Sequence, residues 1–214
     1  MARNEELYDA IIDGEAKEAR AIVDEEIARG VAPMELIQES MIPAMDEVGQ
    51  LFQDEQFFVP ELMLSGRAMK AAMEPLKPLM ARSNAKPLGT VVLGTVKGDL
   101  HDIGKNLVGT MLEGSGFKMI DLGTDVPPAK FVNAILEHQP QIVCLSALLT
   151  VTMVNMKATI DAIVAAGLRD KVRILVGGAP LNERFAHEIG ADGFGATSTD
   201  AVALARSMVE AEAA

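Results

Sequence analysis

The stretch GTVKGDLHDIGKNLVG, residues 94–109, places an aspartate and a histidine two positions apart in a glycine-rich segment between two apolar runs. Asp99 and His101 could act together, because a carboxylate can hold one ring nitrogen while the other nitrogen binds a metal. A zinc site needs roughly three or four protein ligands, yet the chain has 3 histidines and 1 cysteine. A metal carried inside a macrocycle needs only a single axial ligand from the protein. The stretch therefore suits such a ligand, although an ordinary solvated loop histidine explains it too.

A glycine-rich turn that opens onto a helix can also bind phosphate through its backbone N–H groups. The P-loop pattern has about four residues between its glycines and then Lys-Ser/Thr. Here Gly98 and Gly104 enclose residues 99–103, and Lys105 is followed by Asn106. Two aspartates in this segment would repel a phosphate. Nucleotide hydrolysis is therefore disfavoured, whereas a nucleotide-binding α/β module stays open as an alternative.

Composition and charge limit the kinds of protein and of binding partner that fit this sequence. The 214 residues are 49% hydrophobic, which suits one or two globular domains, and the net charge is -12, which disfavours nucleic acid and anionic membranes as partners. The single cysteine, Cys144, cannot form an internal disulfide and is predicted to be a buried strand residue. The first residues lack the apolar core of a signal peptide, so we expect a cytoplasmic protein.

The N-terminal part of the chain has the apolar period of helices. From about Glu5 to Arg82, apolar residues recur every three or four positions, and breaks are expected at 29–33, at 54–60 and near Pro75 and Pro78. This pattern predicts a four-helix bundle. The polar segment 81–89 is predicted to be a linker, so we expect a helical domain over 1–85 and a second domain over 89–214.

The second domain alternates short β-rich runs with helical stretches, which predicts an α/β fold with a doubly wound five-stranded parallel sheet of Rossmann-like type. The predicted strands are 90–96, 118–123, 141–149, 173–178 and 191–196, and the predicted helices begin near Ile103, Pro128, Met153, Asn182 and Thr199. Ligands of such sheets bind at the carboxyl ends of the strands. Four segments therefore form the candidate site, namely 97–104, 146–152, 177–178 and 193–197. In the second of them Ser146 and Thr150 could hydrogen-bond a buried group.

Three elements at fixed intervals carry a family resemblance. Asp99-x-His101-x-x-Gly104 is followed by Ser146-x-Leu148 and then by Gly177-Gly178, with residues 105–145 and 149–176 between them. This pattern closely resembles the cobalamin-binding proteins of corrinoid methyltransferase systems and the cobalamin-binding region of methionine synthase. The stretch VGQLFQDEQFFVPELMLSGRAMKAAM is similar to the helices that cap the corrin in that family.

The resemblance implies a bound cobalamin, such as methylcobalamin or a related corrinoid, with its lower base displaced from cobalt and its nucleotide tail inside the α/β domain. His101 would be the axial cobalt ligand, and Asp99, His101 and Thr152 would form a ligand relay. Other positions are assigned to cofactor binding by the same resemblance. They are Gly98, Asp102, Gly104, Ser146, Leu148, Thr150, Gly177, Gly178 and Ala196 in the α/β domain, and Phe52, Val59 and Gln38 near the upper, methyl-bearing face.

The family also implies a function. The protein would be a methyl carrier without catalytic activity of its own, which receives a methyl group from a substrate-specific methyltransferase and passes it to an acceptor methyltransferase. The final acceptor would be a tetrahydrofolate-type or thiol-type carrier, and a reductive activase would rescue oxidised cobalt. A cobalamin-dependent sensor or regulator is an alternative, disfavoured because no basic recognition helix precedes Glu5. The cobalamin domain of a mutase is another, although such domains normally lack the helical cap. No residue identifies the methyl donor.

Overall fold

The computed structural model describes residues 3–83 and 87–213, which form two compact units. The first unit contains the N-terminal helices and also Glu113–Gly116, and the second contains Pro87–Leu112 and the chain from Phe117 onwards. The expected first limit, residue 85, lies within residues 84–86, which are outside the described part, and the second limit, residue 89, follows three residues after them. These limits therefore stay a prediction.

The first unit consists of four helical runs. They comprise α1 (Glu5–Ile12), α2 (Ala16–Ala28), α3 (Pro33–Leu36) continued through a π-helical turn (Ile37–Met41) into α4 (Ile42–Gln53), and α5 (Val59–Ser83). The expected breaks near 29–33 and 54–60 are confirmed. A further break at residues 13–15 was not predicted. Leu7, Ile11, Val23, Met41 and Met45 are fully buried and form part of its core.

The expected break near Pro75 and Pro78 is wrong, because both prolines lie inside α5. The predicted linker 81–89 is wrong over 81–83, which belongs to the same helix; residues 84–86 lie outside the described part. A proline inside a helix removes a backbone hydrogen bond. Here Leu62, Met69 and Leu76, spaced seven residues apart, are buried along one face of the helix. Burial of this apolar stripe outweighs the lost hydrogen bonds.

The second unit is the predicted five-stranded, all-parallel sheet with its helices, and the fold class is confirmed. The strands β1 (Thr90–Thr95), β2 (Lys118–Asp121), β3 (Ile142–Ser146), β4 (Arg173–Gly177) and β5 (Gly193–Gly195) pair in the order β2-β1-β3-β4-β5. The helices are α6 (Ile103–Gly114), α7 (Pro128–His138), α8 (Val154–Ala165), α9 (Glu183–Ile189) and α10 (Ser198–Ala213). The strand order reverses between β1 and β3, so the crevice for a ligand opens above these two strands.

The β3 strand is shorter than the predicted run 141–149. It ends at Ser146, and the backbone N–H groups of Leu148 and Leu149 turn to donate to the Asp99 carboxylate. The strand stops because a buried carboxylate competes for these donors with the sheet ladder. Among the described residues, no helix is both long enough and apolar enough to span a membrane.

A buried ion pair joins the first turn of α6 to the end of β2. The Lys105 side chain is 2% exposed, and its Nζ donates to Asp121 Oδ2 at 2.5 Å, whereas the Asp121 side chain is 47% exposed. Removal of the acid leaves the buried ammonium with only the neutral Asn106 Oδ1, at 2.7 Å, whereas removal of the lysine leaves an acid that water can solvate. We therefore expect Asp121→Ala to lower the free energy of unfolding by about 2 kcal/mol, and Lys105→Met by less than about 1 kcal/mol. Urea denaturation of both variants measures these two losses of unfolding free energy. A larger loss for Lys105→Met than for Asp121→Ala would contradict the prediction.

Candidate functional site

Four strands of the second unit end in one row of residues. Thr95, Ser146, Gly177 and Gly195 are register partners across β1, β3, β4 and β5. The other three residues of this row are a serine and two glycines, so the carboxyl edge of the sheet has no large side chain in this row. The segments that sequence analysis selected follow directly from these strand ends. The sheet therefore brings the predicted motifs together above β1, β3 and β4.

The Asp99 carboxylate is the centre of the site. It is fully buried and accepts from donors on two loops. Its Oδ2 accepts from Thr152 Oγ1 at 2.6 Å and from the backbone N–H groups of Leu148 at 2.8 Å and Leu149 at 3.3 Å. Its Oδ1 accepts from the backbone N–H of His101 at 3.1 Å. The β1–α6 loop is thereby joined to the β3–α8 loop through a single carboxylate.

Two opposing effects determine the pKa of Asp99. Burial disfavours the charged form and raises the pKa, but the hydrogen bonds from Thr152, Leu148 and His101 favour the carboxylate. The hydrogen bonds outweigh burial, and the pKa lies well below its ordinary value of 3.8. Asp99 is therefore ionised at neutral pH and acts only as an acceptor.

His101 is oriented by this carboxylate. Its Nδ1 lies 2.7 Å from Asp99 Oδ1, and its side chain is 49% exposed. Because an ionised carboxylate can only accept, Nδ1 carries the proton of this contact. In a neutral imidazole the lone pair then resides on Nε2, which is the form that binds a metal. The sequence-predicted relay residues Asp99, His101 and Thr152 are thus in direct contact through hydrogen bonds.

Exposed apolar residues lie close in sequence to His101 and to the donors to Asp99, in the two loops and at the helix starts that follow them. We call them the apolar collar, because each is more than 40% exposed and lies within a few residues of His101 or of the donors to Asp99. The collar consists of Leu100, Ile103, Leu148, Leu149, Val151 and Val154. Exposed apolar surface of this extent is typical of a binding site. The half-exposed imidazole of His101 thus belongs to a segment with exposed apolar side chains.

The other predicted positions in the second unit lie along the same edge. Ser146 is half-buried at the end of β3, and Thr150 is exposed in the loop after it. Ala196 is exposed in the loop after β5, and Gly98 lies in the loop before Asp99. Asp102 and Gly104 lie at the start of α6, where Asp102 accepts from Asn106. All of these residues lie at the strand ends or in the segments that follow them.

The family resemblance assigns Gly177 and Gly178 to cofactor binding. The structure adds a reason within the protein. A Cβ on Gly178 would lie 1.9 Å from the Ala147 carbonyl oxygen, and its φ is +137°. A Cβ on Gly177 would lie 3.2 Å from the Gly195 carbonyl oxygen. The close packing of the loops after β3 and β4 therefore requires glycine at 178 even without a ligand.

Three predicted residues belong to the helical unit. Phe52 is partly buried in α4, Val59 is exposed at the first position of α5, and Gln38 is exposed in the π-helical turn. A π-helical turn inserted in a helix is often found at a functional site. Phe58 and Met63 are also exposed near Val59, so this end of α5 has an apolar surface.

Residues that sequence analysis missed hold the backbone of the β1–α6 loop. Asp125 Oδ1 accepts from the Gly98 N–H at 2.7 Å, and Asn155 Nδ2 donates to the Lys97 carbonyl at 2.8 Å. Thr95 Oγ1 donates to the His101 carbonyl at 2.9 Å. Asp125 and Asn155 are 27 and 58 residues from their partners, so no local spacing could have indicated these contacts.

Acid should weaken the protein through Asp99. Its folded pKa is depressed, so its contribution to stability is complete above the unfolded value of 3.8 and is lost as the pH falls towards the folded pKa. We expect Asp99→Asn to lower the free energy of unfolding by about 2 kcal/mol at pH 7. The difference from wild type should shrink below about pH 4, as measured by urea denaturation across pH. Asp161→Asn, at an exposed pair on α8, is the matched control. A constant difference would contradict this assignment.

Two family models match most of the chain. B12 binding domain models match residues 3–77 and 89–205. Trimethylamine corrinoid protein 1 of Methanosarcina acetivorans is 42% identical over 98% of this chain and 100% of that protein.

Two solved structures extend the comparison. A cobalamin-binding protein from Desulfitobacterium hafniense is 37% identical, with a TM-score of 0.78 over 94% of this chain and 96% of that chain. The methanol:cobalamin methyltransferase complex MtaBC of Methanosarcina barkeri contains a chain that is 31% identical, with a TM-score of 0.84 over 96% of this chain and 78% of that chain. The expected cobalamin-type cofactor is therefore confirmed. The chain belongs to the B12-binding family of corrinoid proteins of methyltransferase systems.

Proposed function

We propose that this protein is a methyl carrier that holds a cobalamin-type corrinoid with the lower base displaced and with His101 as the axial ligand of cobalt. The observation that supports this most directly is the buried Asp99 carboxylate, which holds His101 Nδ1 at 2.7 Å and leaves Nε2 available. A bound corrinoid supplies a nucleophilic cobalt that accepts and releases a methyl group. The residues of the protein supply orientation and protection from water.

The Asp99–His101–Thr152 relay orients the ligand. Asp99 accepts the Nδ1 proton of His101, and Thr152 donates to the other carboxylate oxygen. The outer partners of a metal-binding histidine determine its tautomer and raise its basicity. In this proposal the apolar collar covers the lower face of the macrocycle, and the row of small residues at the strand ends leaves room for the nucleotide tail. The resemblance assigns Phe52, Val59 and Gln38 of the helical unit to the methyl-bearing face of the corrinoid.

The partners follow from the chemistry of methyl transfer. The related proteins are named for trimethylamine, dimethylamine and methanol systems, so the donor enzyme is a methyltransferase for a methylated amine or methanol. The acceptor enzyme transfers the methyl group to a tetrahydrofolate-type or thiol-type carrier. A reductive activase returns oxidised cobalt to its nucleophilic state. The chain alone is expected to be non-catalytic, because the residues that select donor and acceptor belong to these partners.

Reconstitution tests this proposal. The wild-type chain is loaded with cobalamin, freed of excess cofactor and examined for bound corrinoid and for its visible spectrum. It then serves as the single corrinoid source in assays with methyltransferases for trimethylamine, dimethylamine, monomethylamine and methanol. We expect one corrinoid per chain, a lower base displaced by histidine, and methyl transfer from one of these donors. A chain that retains no corrinoid, or retains it with the lower base still bound, would contradict the proposal.

A further inference from the structure

The backbone that carries Asp99 is held from a loop that the family motif does not include. Asp125, between β2 and α7, makes hydrogen bonds to the backbone of both Gly98 and Asp99. Its Oδ1 accepts from the Gly98 N–H at 2.7 Å, and its own N–H donates to the Asp99 carbonyl at 2.9 Å. The two hydrogen bonds act on consecutive residues, so they determine both the position and the direction of the peptide between them.

A second side chain holds the same loop from α8. Asn155 Nδ2 donates to the Lys97 carbonyl at 2.8 Å, and the Asn155 N–H donates to the Thr152 carbonyl at 2.9 Å. Residues 152–155 therefore make two contacts with the β1–α6 loop. Thr152 donates to the Asp99 carboxylate, and Asn155 donates to the backbone carbonyl of Lys97, two residues before Asp99. A Cβ on Gly98 would lie 3.8 Å from Thr152 Cγ2 and 3.9 Å from Asn155 Nδ2, so the loop passes close to this turn.

The backbone conformation of the loop requires such support. Gly98 has φ of +80° and Asp125 has φ of +51°. The second is a left-handed conformation that non-glycine residues adopt uncommonly, although aspartate and asparagine tolerate it best. Residues remain in such conformations when the surrounding contacts hold them there. Here those contacts are the hydrogen bonds to Gly98 and Asp99.

We propose that Asp125 and Asn155 are positioning residues for His101. The imidazole is half-exposed, and its Nδ1–H donates to the Asp99 carboxylate. The direction of Nε2 therefore depends on the position of Asp99, which in turn depends on the loop that Asp125 and Asn155 hold. A displacement of a functional group by about 1 Å is enough to weaken its action strongly. This inference rests on the proposed function, because it concerns how firmly His101 binds cobalt.

The test measures axial ligation directly. The protein is labelled uniformly with ¹⁵N, loaded with unlabelled cobalamin and reduced to the Co(II) state for electron paramagnetic resonance. Cobalt bound by the histidine then shows a doublet splitting from ¹⁵N, whereas cobalt bound by its own lower base shows a triplet from ¹⁴N. Cobalt that has lost the histidine while the lower base stays displaced shows no nitrogen splitting. The ratio of doublet-bearing cobalt to all other bound cobalt therefore reports His101 ligation without any partner enzyme or turnover.

Three variants separate hydrogen bonding from backbone strain. Asp125→Asn keeps an acceptor and tolerates the left-handed conformation, so it should retain the wild-type ratio. Asp125→Gly keeps the conformation but loses the acceptor, and Asn155→Ala loses the donor to Lys97. We expect each of these two to lower the ratio of histidine-bound cobalt to all other bound cobalt about tenfold, as for loss of one hydrogen bond. Bound corrinoid per chain should stay unchanged.

Wild-type ratios in both Asp125→Gly and Asn155→Ala would overturn the inference while leaving the proposed function intact. An unchanged ratio in Asn155→Ala with a lowered ratio in Asp125→Gly would overturn the role of Asn155 and support that of Asp125. Absence of the ¹⁵N doublet in wild type would instead overturn the proposed function itself. If Asp125→Gly does not fold, judged by its thermal transition, Asn155→Ala decides the inference from the other side of the loop.

Discussion

His101→Ala should remove histidine ligation from the bound corrinoid completely. The chain supplies one oriented imidazole at this site, held by Asp99 at 2.7 Å, and alanine offers no donor atom. We expect the affinity for cobalamin to fall roughly a hundredfold, the upper end of the effect known for loss of an outer partner of a metal ligand. Titration of the apoprotein with cobalamin, followed by visible absorption, measures both the affinity and the axial ligand. Added imidazole should restore a nitrogen-ligated spectrum.

The matched control is His187→Ala, which removes an exposed histidine of α9 in the same unit. Its spectrum and affinity should equal those of wild type. Because both substitutions remove one imidazole from the surface, any difference between them reports the position of His101. A His101→Ala protein with the wild-type spectrum would show that another group binds cobalt, and the assignment of the ligand would fail.

Gly178→Ala should cause the largest loss of stability in the second unit. The added Cβ would lie 1.9 Å from the Ala147 carbonyl oxygen, which is a backbone atom that cannot move aside alone. The φ of +137° adds a conformational penalty for any residue with a side chain. We expect the free energy of unfolding to fall by about 4 kcal/mol or more, with loss of cofactor binding because the loops after β3 and β4 separate. Chemical denaturation of the apoprotein measures this effect.

Gly167→Ala separates the steric clash from the conformational penalty. Gly167 also has a positive φ, +69°, but nothing lies within 4 Å of a Cβ built there. Its substitution should cost only about 1 kcal/mol and leave cofactor binding unchanged. Equal losses in the two variants would show that conformation alone explains the effect, and the close packing of Gly178 against Ala147 would then have no energetic importance.

The sequence alone was sufficient to predict the α/β fold, because the patterns that define it are local. Each strand is a short apolar run, and the predicted helix starts at Ile103 and Pro128 agree with the structure. The site could be placed at one sheet edge because the carboxyl ends of parallel strands meet there. Asp99 and His101 are two residues apart, so their contact within one loop could also be anticipated.

Interactions distant in sequence were decided only by the tertiary structure. The apolar stripe that carries α5 through Pro75 and Pro78 depends on burial against other helices, which the period of the segment does not measure. The end of β3 at Ser146 depends on a carboxylate 49 residues away from the Leu148 N–H. Asp125 likewise reaches Gly98 across 27 residues. Local propensity cannot encode such contacts, because they form only when folding brings the ends of separate strands to one edge of the sheet.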